Sequence, residues 1–199
     1  MTTHQDIEKL AAFINQNKKD RLVFDMDGTL LKLEIDWEKW HHQTAAICQE
    51  FESDFEFPGL VMYNFVNPFI KKYGQAARQK FFELNQRYEL ANLKGCKRNQ
   101  LLIEFAQTSS AKKFLFTSNS RQTADTVLAE QELTDLFETT VTRDDVELIK
   151  PDPDGMKHIY QPGQDKDRFL MIGDTQADQG LAENFGIDYW QVKMEMGLS

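Results

Sequence analysis

The sequence predicts an α/β protein with a doubly wound, mainly parallel sheet, interrupted once by a helical insertion. Three observations predict it. Short apolar runs recur along the chain, and helix-periodic segments lie between them. One stretch of roughly 60 residues is helix-periodic without a convincing strand.

Taken in order, residues 6–17 place Ile7, Leu10, Ala11, Phe13 and Ile14 at helical spacing. Arg21-Leu22-Val23-Phe24 reads as a short buried strand. It runs directly into Asp25-Met26-Asp27-Gly28-Thr29-Leu30, where glycine and two carboxylates replace strand chemistry. From about Lys32 to Asn92 the pattern is helical. Asp36 stands where an N-cap belongs, followed by Trp37, Trp40, Ile47 and Phe51 on one stripe. Phe65, Phe69, Phe81, Phe82, Leu84 and Tyr88 continue the theme beyond a break at Pro58-Gly59. Seven of the fifteen phenylalanines fall here, so the segment is expected to have a core of its own. The predicted organisation is a core built from residues 1–31 and 93–199 around a helical domain, 32–92. Beyond it, Lys113–Phe116, Thr139–Thr142, Phe169–Ile172 and, more weakly, Tyr189–Val192 read as strands. Helices are expected near 98–107, 121–131, 153–161 and 176–185.

The chain has 199 residues, with 32 acidic and 23 basic side chains and a net charge of -9. Such a balance disfavours nonspecific nucleic-acid binding, which needs cations along a phosphate track. No apolar run approaches the ~20 residues that span a bilayer, so no membrane partner is expected. The segment Met1–Asp6 lacks the basic and apolar regions of a signal peptide. Two cysteines, Cys48 and Cys96, make neither a disulfide framework nor a metal-ligand pattern, and a reducing cytoplasm is the expected location.

In an open α/β sheet, ligands bind beyond the carboxyl ends of the strands. The residues immediately after each apolar run therefore outline a site. Asp25 and Asp27 come after the first run, and Thr117, Ser118 and Asn119 after Phe116. Lys150 comes after the Val141 run and a short loop. Gly173, Asp174 and, four residues on, Asp178 come after Ile172. Crowded carboxylates repel one another and need a cation, and an all-oxygen set suits Mg²⁺ with a substrate phosphate sharing its shell. Thr117, Lys150 and the amides around Gly28 offer donors to the other phosphate oxygens. With no thiol or Ser-His pair at a strand end, a carboxylate is the economical nucleophile.

These segments resemble the motifs of the haloacid dehalogenase superfamily. Leu22–Leu30 looks like its first motif and Thr117 its second. Lys150-Pro151-Asp152-Pro153 looks like the third, and Gly173-Asp174-Thr175-Gln176-Ala177-Asp178 the fourth. The insertion is similar to the small helical cap of its phosphoglycolate-phosphatase-like group. The resemblance implies a Rossmann-like core and a Mg²⁺-dependent phosphatase acting on a small phosphorylated metabolite through an aspartyl-phosphate. It implies that Asp25 is the nucleophile and a metal ligand. Asp27 would be the general acid/base, binding metal through its backbone carbonyl. Thr117 and Lys150 would hold the phosphoryl group, with Gly28, Ser118 and Asn119 at the substrate. Asp174 would be a metal ligand, and Asp178 a ligand or a group orienting metal-bound water. True dehalogenases lack an aspartate at the position of Asp27. Three departures stand out: Ile149 replaces a common glycine before the lysine, about 20 residues precede the first strand, and Phe185 stands where relatives often carry alanine.

Other uses of these residues remain open. Thr117, Ser118 and Asn119 are candidates for helix capping, because Asn119 or Ser120 must cap the next helix. His41 and His42 read as surface or half-buried helix residues, Trp37 and Trp40 as core or interface. Lys71, Lys72, Arg78, Lys80 and Arg87 read as a solvated face, the cysteines as buried thiols, and the N-terminal helix as a cover for the sheet edge. A phosphomutase or phosphonate hydrolase would need a dedicated cap base, His41 or a cap lysine. A catalytically silent binding protein of the same fold is the reading from another class.

Overall fold

The computed structural model describes residues 2–56 and 63–193. The chain opens with helix α1 (His4–Gln16), strand β1 (Arg21–Phe24) and a short β2 (Leu31–Leu33). Three helices come next, α2 (Trp37–Phe51), α3 (Tyr63–Tyr73) and α4 (Gln75–Ala91), then β3 (Cys96–Arg98). The remainder alternates: α5 (Gln100–Thr108), β4 (Lys112–Phe116), α6 (Arg121–Glu130), β5 (Thr139–Val141), β6 (Phe169–Gly173), α7 (Gln176–Phe185) and β7 (Asp188–Gln191).

Five strands form one parallel sheet in the order β5-β4-β1-β6-β7. Central β1 pairs with both β4 and β6, Val23 lying opposite Phe114 and Met171. A parallel sheet covered on both faces needs near-continuous apolar strands, and Leu22-Val23-Phe24 and Phe169–Ile172 are buried throughout. Alternate residues serve opposite faces. Leu22, Phe24, Leu115, Leu170 and Ile172 meet α1, α5 and α6 through Leu10, Ile103 and Val127. Val23, Phe114, Phe116, Phe169 and Met171 meet Met156, Ile159 and Leu181 on the other side. Helix α1, expected over the sheet edge, packs on the face of Leu22 and Phe24 beside α5: Leu10 and Ile14 join its cluster, Asn99 ahead of α5 donates to Thr2 at 2.8 Å, and Phe13 reaches the edge strand, its ring 5.3 Å from that of Trp190 in β7.

Two expectations change. The 153–161 helix is a 3₁₀ segment, Pro153–His158. Pro153 opens the segment, where its missing N–H costs nothing, but Gly155 in the middle disfavours an α-helix. The insertion is also framed by a small antiparallel ladder, β2 with β3, pairing Leu31 with Arg98 and Leu33 with Cys96. Three residues each are too few to show a period.

Within the insertion, Asp36 caps α2 by accepting from the Lys39 N–H at 3.0 Å. Its aromatic residues do not form the separate core expected. Phe65, Phe69, Phe81 and Phe82 are contiguous with Phe114, Phe116, Val141 and Ile149 in one buried cluster. A smaller cluster of Trp40, Leu84 and Tyr88 stands apart. The Pro58-Gly59 break lies outside the described residues. Among the described residues, no helix is long and apolar enough to cross a membrane.

Candidate active site

The topology switches direction at β1: the chain goes to β4 and β5 on one side, then to β6 and β7 on the other. Its carboxyl edge is where ligands collect in such sheets, and the strand-end residues converge there. Lys150 is their centre. Its ammonium donates to Asp25 Oδ1 (2.6 Å), Asp178 Oδ1 (2.5 Å) and the Phe116 carbonyl (3.0 Å), joining the ends of β1 and β4 to the first turn of α7. Lys150 is 3% exposed and Asp25 5%, so each charge depends on the other for solvation.

Asp25, Asp174 and Asp178 each bring a carboxylate oxygen within 4.8 Å of the others. Burial pushes the Asp25 carboxyl well above its usual range, Lys150 opposing and the two neighbouring aspartates adding to the shift. Asp174 is raised by burial and then by Asp178. Burial works to lower Lys150, but Asp178 and Asp25 outweigh it and hold the ammonium firmly charged. One ammonium against three acids leaves the cluster short of positive charge. An all-carboxylate set with that deficit fits a hard dication.

Asp178 is fully buried and already engaged. Its Oδ2 accepts from the Thr175 N–H (3.0 Å) and hydroxyl (2.6 Å), the capping box that starts α7, while Oδ1 takes Lys150. Asp174 accepts from Thr29 at 3.2 Å. Asp27 is anchored by the Leu33 N–H at 2.8 Å. Burial raises its carboxyl to about 6, that hydrogen bond partly offsetting the shift.

Gly28 has φ +92°, and a Cβ there would collide with the Asp174 carboxylate. Its N–H bonds the Leu31 carbonyl at 2.6 Å, so it is not a phosphate donor. Its service to the site is close backbone approach. Thr117 donates to Asn119 Oδ1 at 2.8 Å and accepts from the Asn119 N–H at 3.2 Å. Capping of α6 falls to Ser120, which accepts from the Thr123 N–H at 3.2 Å. Thr117 and Ser118 are therefore not consumed as caps.

A cavity of about 620 Å³ opens over this edge, lined by Asp25, Asp27, Thr117, Ser118, Asn119 and Lys150. Trp37, Trp40 and His41 of α2 line its other side, with Arg143 and the start of α7. Trp40 is locked by its Nε1–H to Asn85 Oδ1 at 2.6 Å, and Trp37 meets it edge-on at 5.9 Å. His42 is exposed and does not line the cavity; nor do the cap cations Lys71, Lys72, Lys80 and Arg87. Arg78 crosses to the core, donating to the Val146 carbonyl at 2.7 Å. The cysteines are free thiols, raised by burial to about 12 (Cys48) and about 11 (Cys96).

Sequence reasoning missed Arg143. It is 2% exposed, lies just past β5, and stands 3.9 Å from Glu89 of α4. The rule that found the other residues, inspecting the positions just past each strand, applies equally to Thr142-Arg143.

Carboxylates and a lysine gathered at the switch point of a parallel sheet, beneath a helical insertion, define a Rossmann-like α/β protein with an acidic candidate site. Residues 22–192 match the family model for haloacid dehalogenase-like hydrolases, and the chain belongs to that family. It is 28% identical over 182 residues to the pyrophosphatase PpaX of Bacillus cereus (strain AH820), covering 85% of this chain and 81% of that protein. A haloacid dehalogenase-like hydrolase from Bacteroides fragilis, so assigned provisionally, shares the fold with a TM-score of 0.56 at 16% identity, covering 90% of both chains. A provisionally assigned phosphoglycolate phosphatase from Lactobacillus plantarum has a TM-score of 0.53 at 15% identity, covering 86% of this chain and 84% of that one.

Proposed function

We propose that this hydrolase is a Mg²⁺-dependent phosphatase acting on a small phosphate monoester. The supporting observation is the Lys150 ammonium between Asp25 and Asp178, beneath the cavity that Thr117 and Asp27 line. An oxygen of Asp25 attacks phosphorus as the ester P–O bond breaks, and Asp27 gives its proton to the leaving alcohol. Asp27, now a carboxylate, takes a proton from the water that attacks the aspartyl-phosphate. The P–O bond to Asp25 then breaks, returning the free carboxylate and inorganic phosphate. With substrate bound, Lys150 exchanges its Asp25 contact and Thr117 its Asn119 contact for phosphoryl oxygens, donating to them as charge accumulates. Asp25, Asp174 and the Asp27 carbonyl would hold the metal, with Asp178 positioning Lys150 beside them. Bound there, Mg²⁺ supplies charge stabilisation for the phosphoryl oxygens. Trp37, Trp40 and His41 face the leaving group and screen it from water. Pyrophosphate and phosphoglycolate, the anions in the names of the two phosphatase relatives, are the first compounds to assay.

Purified protein with Mg²⁺ is expected to release inorganic phosphate from p-nitrophenyl phosphate. EDTA or Asp25→Asn should abolish the release. Undiminished turnover in Asp25→Asn would remove the carboxylate nucleophile from the mechanism. His41 in the cavity is the observation favouring a phosphomutase instead. Such an enzyme would return a phosphorylated isomer of a sugar phosphate in place of free phosphate, and an assay of both products from a sugar phosphate separates the two.

A further inference from the structure

The segment carrying Lys150 belongs to no helix or strand, yet it must deliver an ammonium to two carboxylates with sub-ångström tolerance. Its support comes from the insertion. Asn67 of α3 is 7% exposed and reaches Ile149, the residue before Lys150, with both ends of its amide. Nδ2 donates to the Ile149 carbonyl at 2.7 Å, and Oδ1 accepts the Ile149 N–H at 3.0 Å. The pair imitates one rung of a sheet ladder where no strand exists. The Ile149 side chain, 1% exposed, sits in the cluster shared by insertion and sheet, so side chain and backbone are fixed from the same direction. A buried N–H that loses its acceptor must move or bear the desolvation cost. Moving it displaces the next residue, which is Lys150.

We infer that Asn67 is a positioning residue for phosphoryl transfer: its two hydrogen bonds to Ile149 set where Lys150 enters the site. The inference rests on the phosphatase reading, in which Lys150 holds phosphoryl oxygens. It makes the insertion part of the catalytic apparatus as well as a cover for the substrate.

The test uses the full chain with Mg²⁺ and p-nitrophenyl phosphate. Asn67→Leu keeps the volume and removes both hydrogen bonds; Asn67→Asp keeps the acceptor for the Ile149 N–H and removes the donor. Each is expected to lower kcat by about tenfold or more, on the scale that a misplaced catalytic group costs. In a Lys150→Ala background the same changes should cost nothing further, because the group they position is gone. Undiminished kcat in folded variants, or losses that add fully to that of Lys150→Ala, would overturn the inference. So would loss of the folding transition in both variants, which would make Asn67 a residue of the fold alone. If the wild type releases no phosphate from any ester, the phosphatase reading fails instead. Crystal structures of wild type and Asn67→Leu then decide, and an ammonium still bonded to both Asp25 and Asp178 in the variant would refute positioning by Asn67.

Discussion

Asp27 shows how one side chain is made useful by where its oxygens point. One oxygen is pinned by the Leu33 N–H at 2.8 Å, which fixes the carboxyl over the cavity and leaves the other free to exchange a proton. Asparagine in its place can keep the Leu33 contact through its amide oxygen but can neither give nor take a proton. Asp27→Asn is therefore expected to fold with an unchanged thermal midpoint while kcat falls by about 10²–10⁴-fold, the usual worth of general acid–base catalysis. Steady-state kinetics beside a thermal melt checks both halves. Asp27 was legible in the sequence because it stands two residues past Asp25 with a glycine behind it. The tether to Leu33 was not legible, since it depends on β2, which three residues are too short to announce.

At the scale of elements, the segment after β5 illustrates a helix end and a loop held by one carboxylate. Asp145 accepts from the Thr142 N–H (2.7 Å) and hydroxyl (2.8 Å), and from the Arg121 guanidinium of α6. Partial burial works to raise its pKa, but these donors outweigh it and hold the carboxyl below its usual range. A depressed acid stabilises the fold at pH values above its unfolded pKa, and that stability drains away as pH falls through the folded value. Asp145→Asn is thus expected to melt at lower temperature than wild type at pH 7. The gap should narrow once the pH drops below about 4, where the wild-type carboxyl takes up its proton. Thermal melts across that range check the sign. Among the elements that were legible, β1, β4, β6, α6 and α7 have unbroken apolar runs or a clear period. The Pro153–His158 segment has apolar spacing, but Gly155 at its middle weakens an α-helix and the turn stays 3₁₀, which spacing alone did not reveal.

Across the whole molecule, insertion and sheet are joined by buried polar contacts that no local pattern encodes. Glu89 of α4 is completely buried, accepts the Ser120 N–H at 2.9 Å and faces Arg143 at 3.9 Å. Glu89→Ala would take the carboxylate from a buried guanidinium and the acceptor from an α6 donor together, a loss of about 3–5 kcal/mol, read as a shifted midpoint in urea denaturation. The strand-end residues of the site could be read in advance because a parallel sheet sends them all to one edge. Glu89, Arg143 and Asn67 could not be paired in advance, since their partners are set by how three helices settle on that sheet. The β2–β3 ladder puts Leu33 opposite Cys96, so the chain departs from the sheet and returns to it side by side. From beneath, the three helices are no more than an enlarged hairpin turn, and closing a longer turn costs only slowly more. A fold wired this way can be refitted: the helices above can be lengthened, shortened or exchanged while the carboxylate edge stays as it is. Reaction and substrate choice then become separately heritable traits, with the contacts of Asn67, Arg78 and Glu89 among the joints that each replacement has to match.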